Sequence, residues 1–268
     1  MNDAGSPPRP RAAVTPPGGA LPDIGDLYRF ASDAGGVYGT EDFCFFLYSV
    51  VKMHKPQRVL ELGTGTGVSS FWIARALREN GSGTLLTIDD GRQWDKVRQA
   101  PGLERYGAQG YASHRDFILA MAERFGVARE LSLVTTSLPP YPEFDPGIEV
   151  DLLFSDFRHD PATVLALLAH FLPRMSEASS IFIDSASTAF ASYLLLERLI
   201  EEFNVGRVPK ELLTRLPEER AQDLASAVRS RRFTLVHLTE VKDRDQNGTA
   251  WIKIAPIDIV PYPRTRMR

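Results

Sequence analysis

The chain is short of cysteine, of long apolar runs and of excess positive charge, and each shortage removes a class of protein. One cysteine, Cys44, stands in 268 residues. No disulfide can form within the chain, which fits a reducing compartment. Cys44 lies in the apolar run Phe43 to Leu47 and reads as a core residue rather than a nucleophile. No apolar stretch is long enough to span a bilayer. The first 23 residues, rich in Pro, Gly and Ala, have no apolar signal-peptide core and read as a disordered leader. Lys and Arg total 31 against 34 Asp and Glu, a formal net charge of -3. That balance lacks the basic field of a nucleic-acid binder, and the run Arg229, Arg231, Arg232 reads as a solvated helix end. The expectation is a cytoplasmic protein with neither nucleic-acid nor membrane partners. Hydrophobic residues make up 43%, enough for one sizeable core.

What is present alternates between two periods. Glu41 to Met53 is apolar around most of the helical wheel and predicts a helix buried on much of its surface. Arg58 to Leu62 is a short apolar strand, Val68 to Arg78 a helix, and Thr84 to Ile88 a second strand ending in Asp89-Asp90. This β-turn-α-β unit starts a parallel sheet. Residues 91–113 follow without a clear pattern. Further along, the pattern predicts a helix at His114 to Phe125 capped by Gly126, a strand at Leu131 to Thr135, and one at Val150 to Ser155 ending in Asp156. A helix at Ala162 to Phe171 leads to a strand at Ser180 to Ile183 ending in Asp184, then a helix at Ala189 to Phe203. Residues 207–231 form a charged, helical insertion broken by Pro217. A solvated helix is the default for it, with a lid or homodimer surface as the alternatives. Phe233 to Val241 and Thr249 to Ile254 alternate as strands and are joined through Asn247-Gly248, a strong turn signal. The fold class expected is α/β: a doubly wound, mostly parallel seven-stranded sheet with a C-terminal antiparallel hairpin. One domain over 24–260 and a tail at 261–268 complete the division.

The most informative segment is Val59-Leu-Glu61-Leu-Gly63-Thr64-Gly65-Thr-Gly67, where a strand enters a glycine turn and a helix follows. Glycine permits positive φ and close approach of a ligand. Such a turn at the carboxyl edge of a parallel sheet is where doubly wound folds bind ligands. Asp89 ends the next strand, where a carboxylate can accept hydrogen bonds from a ribose diol. The dinucleotide fingerprint is G-x-G-x-x-G, but here the glycines are spaced G-x-G-x-G with Val68 at the fingerprint's last position. The pattern E-x-G-x-G-x-G resembles motif I of class I S-adenosylmethionine (SAM)-dependent methyltransferases. The antiparallel last strand fits that family as well, whereas the dinucleotide fold stays parallel. By position, the resemblance assigns cofactor binding to Glu61, Gly63, Thr64, Gly65, Gly67, Ser69 and Asp89, with Ser137 at the adenine element and Asp156 at the fourth strand end.

The fourth-strand segment Val150-Asp-Leu-Leu-Phe-Ser-Asp156-Phe-Arg-His159 is similar to that of cation-dependent O-methyltransferases of the catechol and caffeoyl-CoA type. In that family an Asp at this strand end binds the metal and a lysine three positions on is the proposed base. Here these are Asp156 and His159, and the fifth strand ends in Asp184-Ser185 where the family has Asp-Asn. The resemblance therefore implies Asp156, Asp184 and Ser185 as ligands for Mg²⁺ or another divalent cation, hard ions that take oxygen donors. Such an ion would lower the pKa of an acceptor hydroxyl. His159 would accept the proton, since an imidazole titrates near neutrality. Without a metal, His159 acts as the base alone. Gly36 to Thr40 resembles the family segment that closes over SAM. Ser185 and His159 depart from the family pattern, as does Thr136-Ser137-Leu138 at the adenine element. The function expected is SAM-dependent O-methylation of a small hydroxylated molecule, with specialised metabolism as a context. The rivals are an NAD-type oxidoreductase and a catalytically silent SAM-binding module. Trp94 and Tyr106 are read as an aromatic wall or as packing, Trp72 and the Phe43, Phe45, Phe46 group as core, and His54 and His237 as structural.

Overall fold

The computed structural model describes residues 22–34, 41–137, 147, 149–241 and 247–257. The segment Gly36 to Thr40, most of the leader, Leu138, the loop at 242–246 and the tail lie outside them. Seven strands form one sheet in the order β3-β2-β1-β4-β5-β7-β6. They are β1 (Arg58–Leu62), β2 (Thr84–Asp89), β3 (Leu131–Thr135), β4 (Val150–Ser155), β5 (Met175–Ile183), β6 (Arg231–Thr239) and β7 (Gly248–Pro256). The pairs among β1 to β5 are parallel, whereas β7 runs antiparallel to both β5 and β6. The strand order reverses between β1 and β4, which opens the crevice that doubly wound sheets use for ligands.

The central strands are buried on both faces, so they read as near-continuous apolar runs. Alternation still assigns each side chain to a layer. Val59, Leu85, Leu152, Phe154 and Phe182 pack with α1 (Ile24–Ala34), α2 (Glu41–His54), α3 (Val68–Asn80) and α5 (His114–Arg124). Leu60, Leu62, Leu153, Ile181, Ile183 and Ile252 pack with α6 (Pro161–Phe171), α7 (Phe190–Asn204), α8 (Lys210–Leu213) and α9 (Glu218–Ser230). Between β2 and α5 lie the short helix α4 (Trp94–Val97) and two 3-10 turns, Pro101–Tyr106 and Ala108–Gly110.

Several elements depart from the sequence expectation. Helix α1 presents Leu27, Phe30, Ala31 and Ala34 to the core at the i, i+3, i+4, i+7 spacing of an amphipathic helix. Helix α2 buries one face through Phe43, Leu47, Val50 and Val51, while Phe45 is 43% and Met53 69% exposed. Phe45 is thereby removed from the expected core group, while Phe43 and Trp72 belong to it. Strand β5 starts at Met175 rather than Ser180, with a register irregularity against β4 between Val150 and Leu152. The insertion at 207–231 is not merely solvated, because Leu212, Leu224 and Val228 are buried in the core. Pro217 is the N-cap residue of α9, the break expected there. Cys44 is buried, and burial pushes its thiol pKa well up, which leaves it inert as a nucleophile.

Candidate active site

The glycine turn between β1 and α3 is shaped by three left-handed residues, with φ of 93° at Gly63, 53° at Gly65 and 86° at Gly67. Gly63 also lacks room for a side chain: a Cβ there would stand 2.2 Å from the carbonyl oxygen of Asp156. Backbone hydrogen bonds join this turn to its neighbours, from Gly63 N to Ile88 O at 2.8 Å and from Asp156 N to Leu62 O at 2.9 Å. The ends of β1, β2 and β4 are thus one connected rim.

Behind the rim lies Glu61, fully buried. Its Oε1 accepts a hydrogen bond from Ser69 Oγ at 2.6 Å, and its Oε2 accepts from Ser70 Oγ and from Thr87 Oγ1, the latter at 2.5 Å. Thr87, its proton spent on Glu61, accepts in turn from Thr64 Oγ1 at 2.6 Å. Burial raises the Glu61 pKa to about 7 against the opposing pull of its three hydroxyl partners, and the nearby Asp89 charge adds to the rise. Glu61, Thr64 and Ser69, expected among the cofactor-binding residues, stand behind the turn. Their polar side chains are committed to one another and hold the turn from behind.

Asp89 fastens the turn from the front. Its Oδ2 accepts from Thr64 N and Gly65 N, both at 3.0 Å, and its Oδ1 accepts from Gly91 N at 2.7 Å. A carboxylate has about four acceptor positions, so three N–H donors leave it room for one more donor such as a ribose hydroxyl. A second fastening comes from His114, at the start of α5. Its Nε2 lies 2.7 Å from Gly65 O, an acceptor, so Nε2 carries the hydrogen. Sequence reading did not single out His114: it follows the N-cap Ser113, and no spacing rule links it to a loop 49 residues away.

In front of this rim is a cleft of about 820 Å³, a size that suits a nucleoside-bearing ligand. Of the expected cofactor residues, Gly63, Gly65, Asp89, Ser137 and Asp156 line it, whereas Gly67, Thr64, Ser69 and Glu61 do not. Gly67 instead lets α3 pack, since a Cβ there would meet the Phe71 ring at 2.7 Å. Residues 91–113 contribute Arg92 and Trp94 to the cleft, and Arg92 donates to Ser137 Oγ at 2.8 Å. Tyr106, by contrast, packs edge-on against Phe30 and donates to Asp33 at 3.0 Å, so it is packing and not a cleft wall. Arg215, between α8 and α9, reaches the opposite lip.

His159 is not among the residues lining that cleft. It lies in an adjoining shallow groove with Phe157, Pro161 and Phe190, and the two concavities share Phe157, Arg158 and Asp160. The turn carrying these residues is held at both ends. Asp160 caps α6 by accepting from Thr163 N at 3.1 Å, and Ser192 of α7 donates to the His159 carbonyl. The expected metal ligands do not assemble as a cation site. Asp184 Oδ2 accepts from Ser185 Oγ at 2.7 Å and Oδ1 from Thr249 Oγ1 at 3.1 Å. Ser185 thus spends its hydroxyl on the carboxylate beside it, and Thr249 occupies the other oxygen. Among the described residues no group of three His, Cys, Asp or Glu could hold a metal ion. Two carboxylates and a serine hydroxyl already turned onto one of them make a sparse donor set for a hard divalent cation, which takes about six or more oxygens, and no chemical step is routed through one.

Residues 60–186, from β1 through the turn after β5, match a family model described as a methyltransferase domain. Among solved structures, the chain is similar to the O-methyltransferase TomG from Streptomyces achromogenes, involved in tomaymycin synthesis and in complex with SAM. The TM-score is 0.52 at 16% identity, covering 88% of this chain and 92% of that one. It is equally similar to the O-methyltransferase from Bacillus cereus in complex with S-adenosylhomocysteine, with TM-score 0.52 at 15% identity over 87% of this chain and 92% of that one. No curated protein matches the chain in sequence. The matched residues carry the Gly63–Gly67 turn and Asp89, and the chain as a whole shares the fold of these two solved O-methyltransferases.

Proposed function

We propose that the domain methylates a hydroxyl oxygen of a small molecule held beside the turn between β4 and α6, with His159 taking the hydroxyl proton. The observation that carries this reading is the junction of the two concavities. The cofactor cleft and the groove of His159 meet at Phe157, Arg158 and Asp160. A ligand in the first and an acceptor in the second therefore face each other across one turn. SAM, when bound, supplies an electrophilic methyl group on sulfur. The chain's own contribution is alignment, which can be worth several kcal/mol when the reacting atoms are held in line. Gly63, Gly65 and Asp89 hold the cofactor side. Phe157, 36% exposed, and Phe190, 73% exposed, offer apolar faces to an acceptor body. His159 stands between them as a base that needs no metal.

The solved neighbours named O-methyltransferases support oxygen as the target atom. The net charge of -3 supports a small-molecule acceptor over nucleic acid. A single buried thiol supports a cytoplasmic setting, and among the described residues no helix is long and apolar enough to cross a membrane. The domain is proposed to run over 24–260. The test is release of S-adenosylhomocysteine across a panel of hydroxylated aromatic and aliphatic acceptors, with and without EDTA. Turnover that persists in EDTA and falls about 100-fold or more in His159→Asn supports the reading. Turnover unchanged in His159→Asn removes His159 as the base.

A further inference from the structure

A second set of chemistry-bearing side chains lies at the same sheet edge, outside the residues that line the cofactor cleft. Ser187 sits in the turn after β5, and its Oγ is 2.7 Å from His237 Nδ1. The other ring nitrogen, Nε2, is 3.0 Å from Glu197 Oε1 on α7. Tyr193, one helical turn before Glu197, stacks on the imidazole with ring centroids 4.1 Å apart. The topology explains the meeting. His237 in β6 faces Ala250 of β7, which faces Ile183 at the end of β5. Strand β6 therefore runs parallel to β5 and delivers His237 to the carboxyl edge just where the chain turns through Ser187.

The hydrogen-bond directions follow from the donor inventory. A carboxylate only accepts, so His237 Nε2 carries the hydrogen toward Glu197. In the neutral ring Nδ1 is then an acceptor, and the Ser187 hydroxyl must donate to it. This is a serine whose proton is already directed at a base, with the base oriented by a carboxylate, the arrangement that activates hydroxyl nucleophiles. The turn does not depend on this bond. Thr188 N and Ala189 N both bond to Ser185 O, at 3.3 and 3.0 Å, and Gly248 lies so close that a Cβ there would be 3.2 Å from Ser187 Cβ. His237 is 19% and Glu197 46% exposed along the side chain, so the group is reached from solvent. Helix α7 starts three residues after Ser187, and its N-cap Ala189 makes no side-chain cap.

We propose that Ser187, His237 and Glu197 form a second reactive centre in which Ser187 is a nucleophile toward carboxylic esters and related activated acyl or phosphonyl compounds. With an ester, the bond from Ser187 Oγ to the acyl carbon forms and the carbon–oxygen bond to the alcohol breaks. The serine proton passes to His237 Nδ1 and then to the departing alkoxide, and water releases the acid by the same base. The centre is independent of methyl transfer. The test uses the full chain and a biotinylated alkyl fluorophosphonate. Here the Oγ–P bond forms, the P–F bond breaks, fluoride leaves and His237 takes the proton. Peptide mass spectrometry is expected to place the adduct on Ser187. Labelling should vanish in Ser187→Ala and slow about 100-fold or more in His237→Gln, with a smaller slowing in Glu197→Gln, a half-exposed position. Circular dichroism melting and SAM binding check that each variant is folded. No adduct at Ser187 in the wild-type chain overturns the proposal, and so does labelling of His237→Gln at the wild-type rate.

Discussion

The site is held from behind by polar side chains bonded to one another, and the clearest of them is Glu61. Its folded pKa of about 7 stands above the ordinary 4.5 because burial costs the ionised form more than three hydroxyls return. The native state therefore binds this proton more tightly than the unfolded chain does. That contribution to stability is fully present below about pH 4.5 and is lost as pH rises through about 7. Over that window the wild-type protein is expected to lose on the order of 3 kcal/mol relative to Glu61→Gln, which has no proton to lose. Urea unfolding of both proteins at a series of pH values measures the difference, and parallel curves would refute the assignment. At Gly63 the expected penalty is steric. Alanine there adds left-handed strain of about 1–2 kcal/mol and drives a methyl into the Asp156 carbonyl. Gly63→Ala is expected to lose at least about 2 kcal/mol by denaturant titration, and a variant as stable as wild type would contradict the geometry. At this scale the glycines and acidic strand ends were legible in the sequence, because a positive φ or a strand end restricts which residue can serve. The direction of the Glu61 carboxylate was not, since spacing does not say whether a side chain faces ligand or protein.

Among the elements, legibility followed periodicity. Strands β1 to β4 and helices α3, α5 and α6 were readable within a residue or two because their apolar runs are dense and bounded by Gly, Asp or Pro. Helix α1 starts at Ile24, where structure is expected to begin, but its stripe of Leu27, Phe30, Ala31 and Ala34 includes two small alanines and does not read as a helix from the sequence. Residues 91–113 fold as a short helix and 3-10 turns, which have no long period to detect. Helix α9 misled in another way. Its charges suggested a solvated surface, while Leu224, Ala227 and Val228 form a narrow buried stripe. Leu224→Ala is expected to cost about 2–5 kcal/mol, as for a core leucine. A cost under about 0.5 kcal/mol in denaturant unfolding would return α9 to the solvent. The turn after β5 shows how a family resemblance can overreach. Asp184 aligns with a metal ligand, yet each of its oxygens already accepts a hydrogen bond, from the hydroxyls of Ser185 and Thr249. Calorimetric titration with Mg²⁺ is accordingly expected to give no specific binding, and a saturating one-site isotherm would overturn that reading.

For the whole molecule, strand order brings two groups of chemistry-bearing side chains to one edge of the sheet. The reversal between β1 and β4 opens the cofactor cleft, and the turn after β4 joins it to the groove of His159. The hairpin of β6 and β7 then brings His237 to the same edge beside Ser187. The terminal hairpin was legible through Asn247-Gly248 and the strand alternation, and it separated this fold from the dinucleotide fold. The acceptor was not legible, because the groove is built from one turn and the start of α7, whose meeting is a product of the fold. The central claim is that the Gly63–Gly67 turn and Asp89 bind SAM. Its most direct test is calorimetry of SAM and S-adenosylhomocysteine on the wild type and on Asp89→Ala. Micromolar binding to the wild type, weakened at least about tenfold in Asp89→Ala for loss of about 1.4 kcal/mol or more, is the expected result. No binding of either ligand to the folded wild-type chain would contradict it.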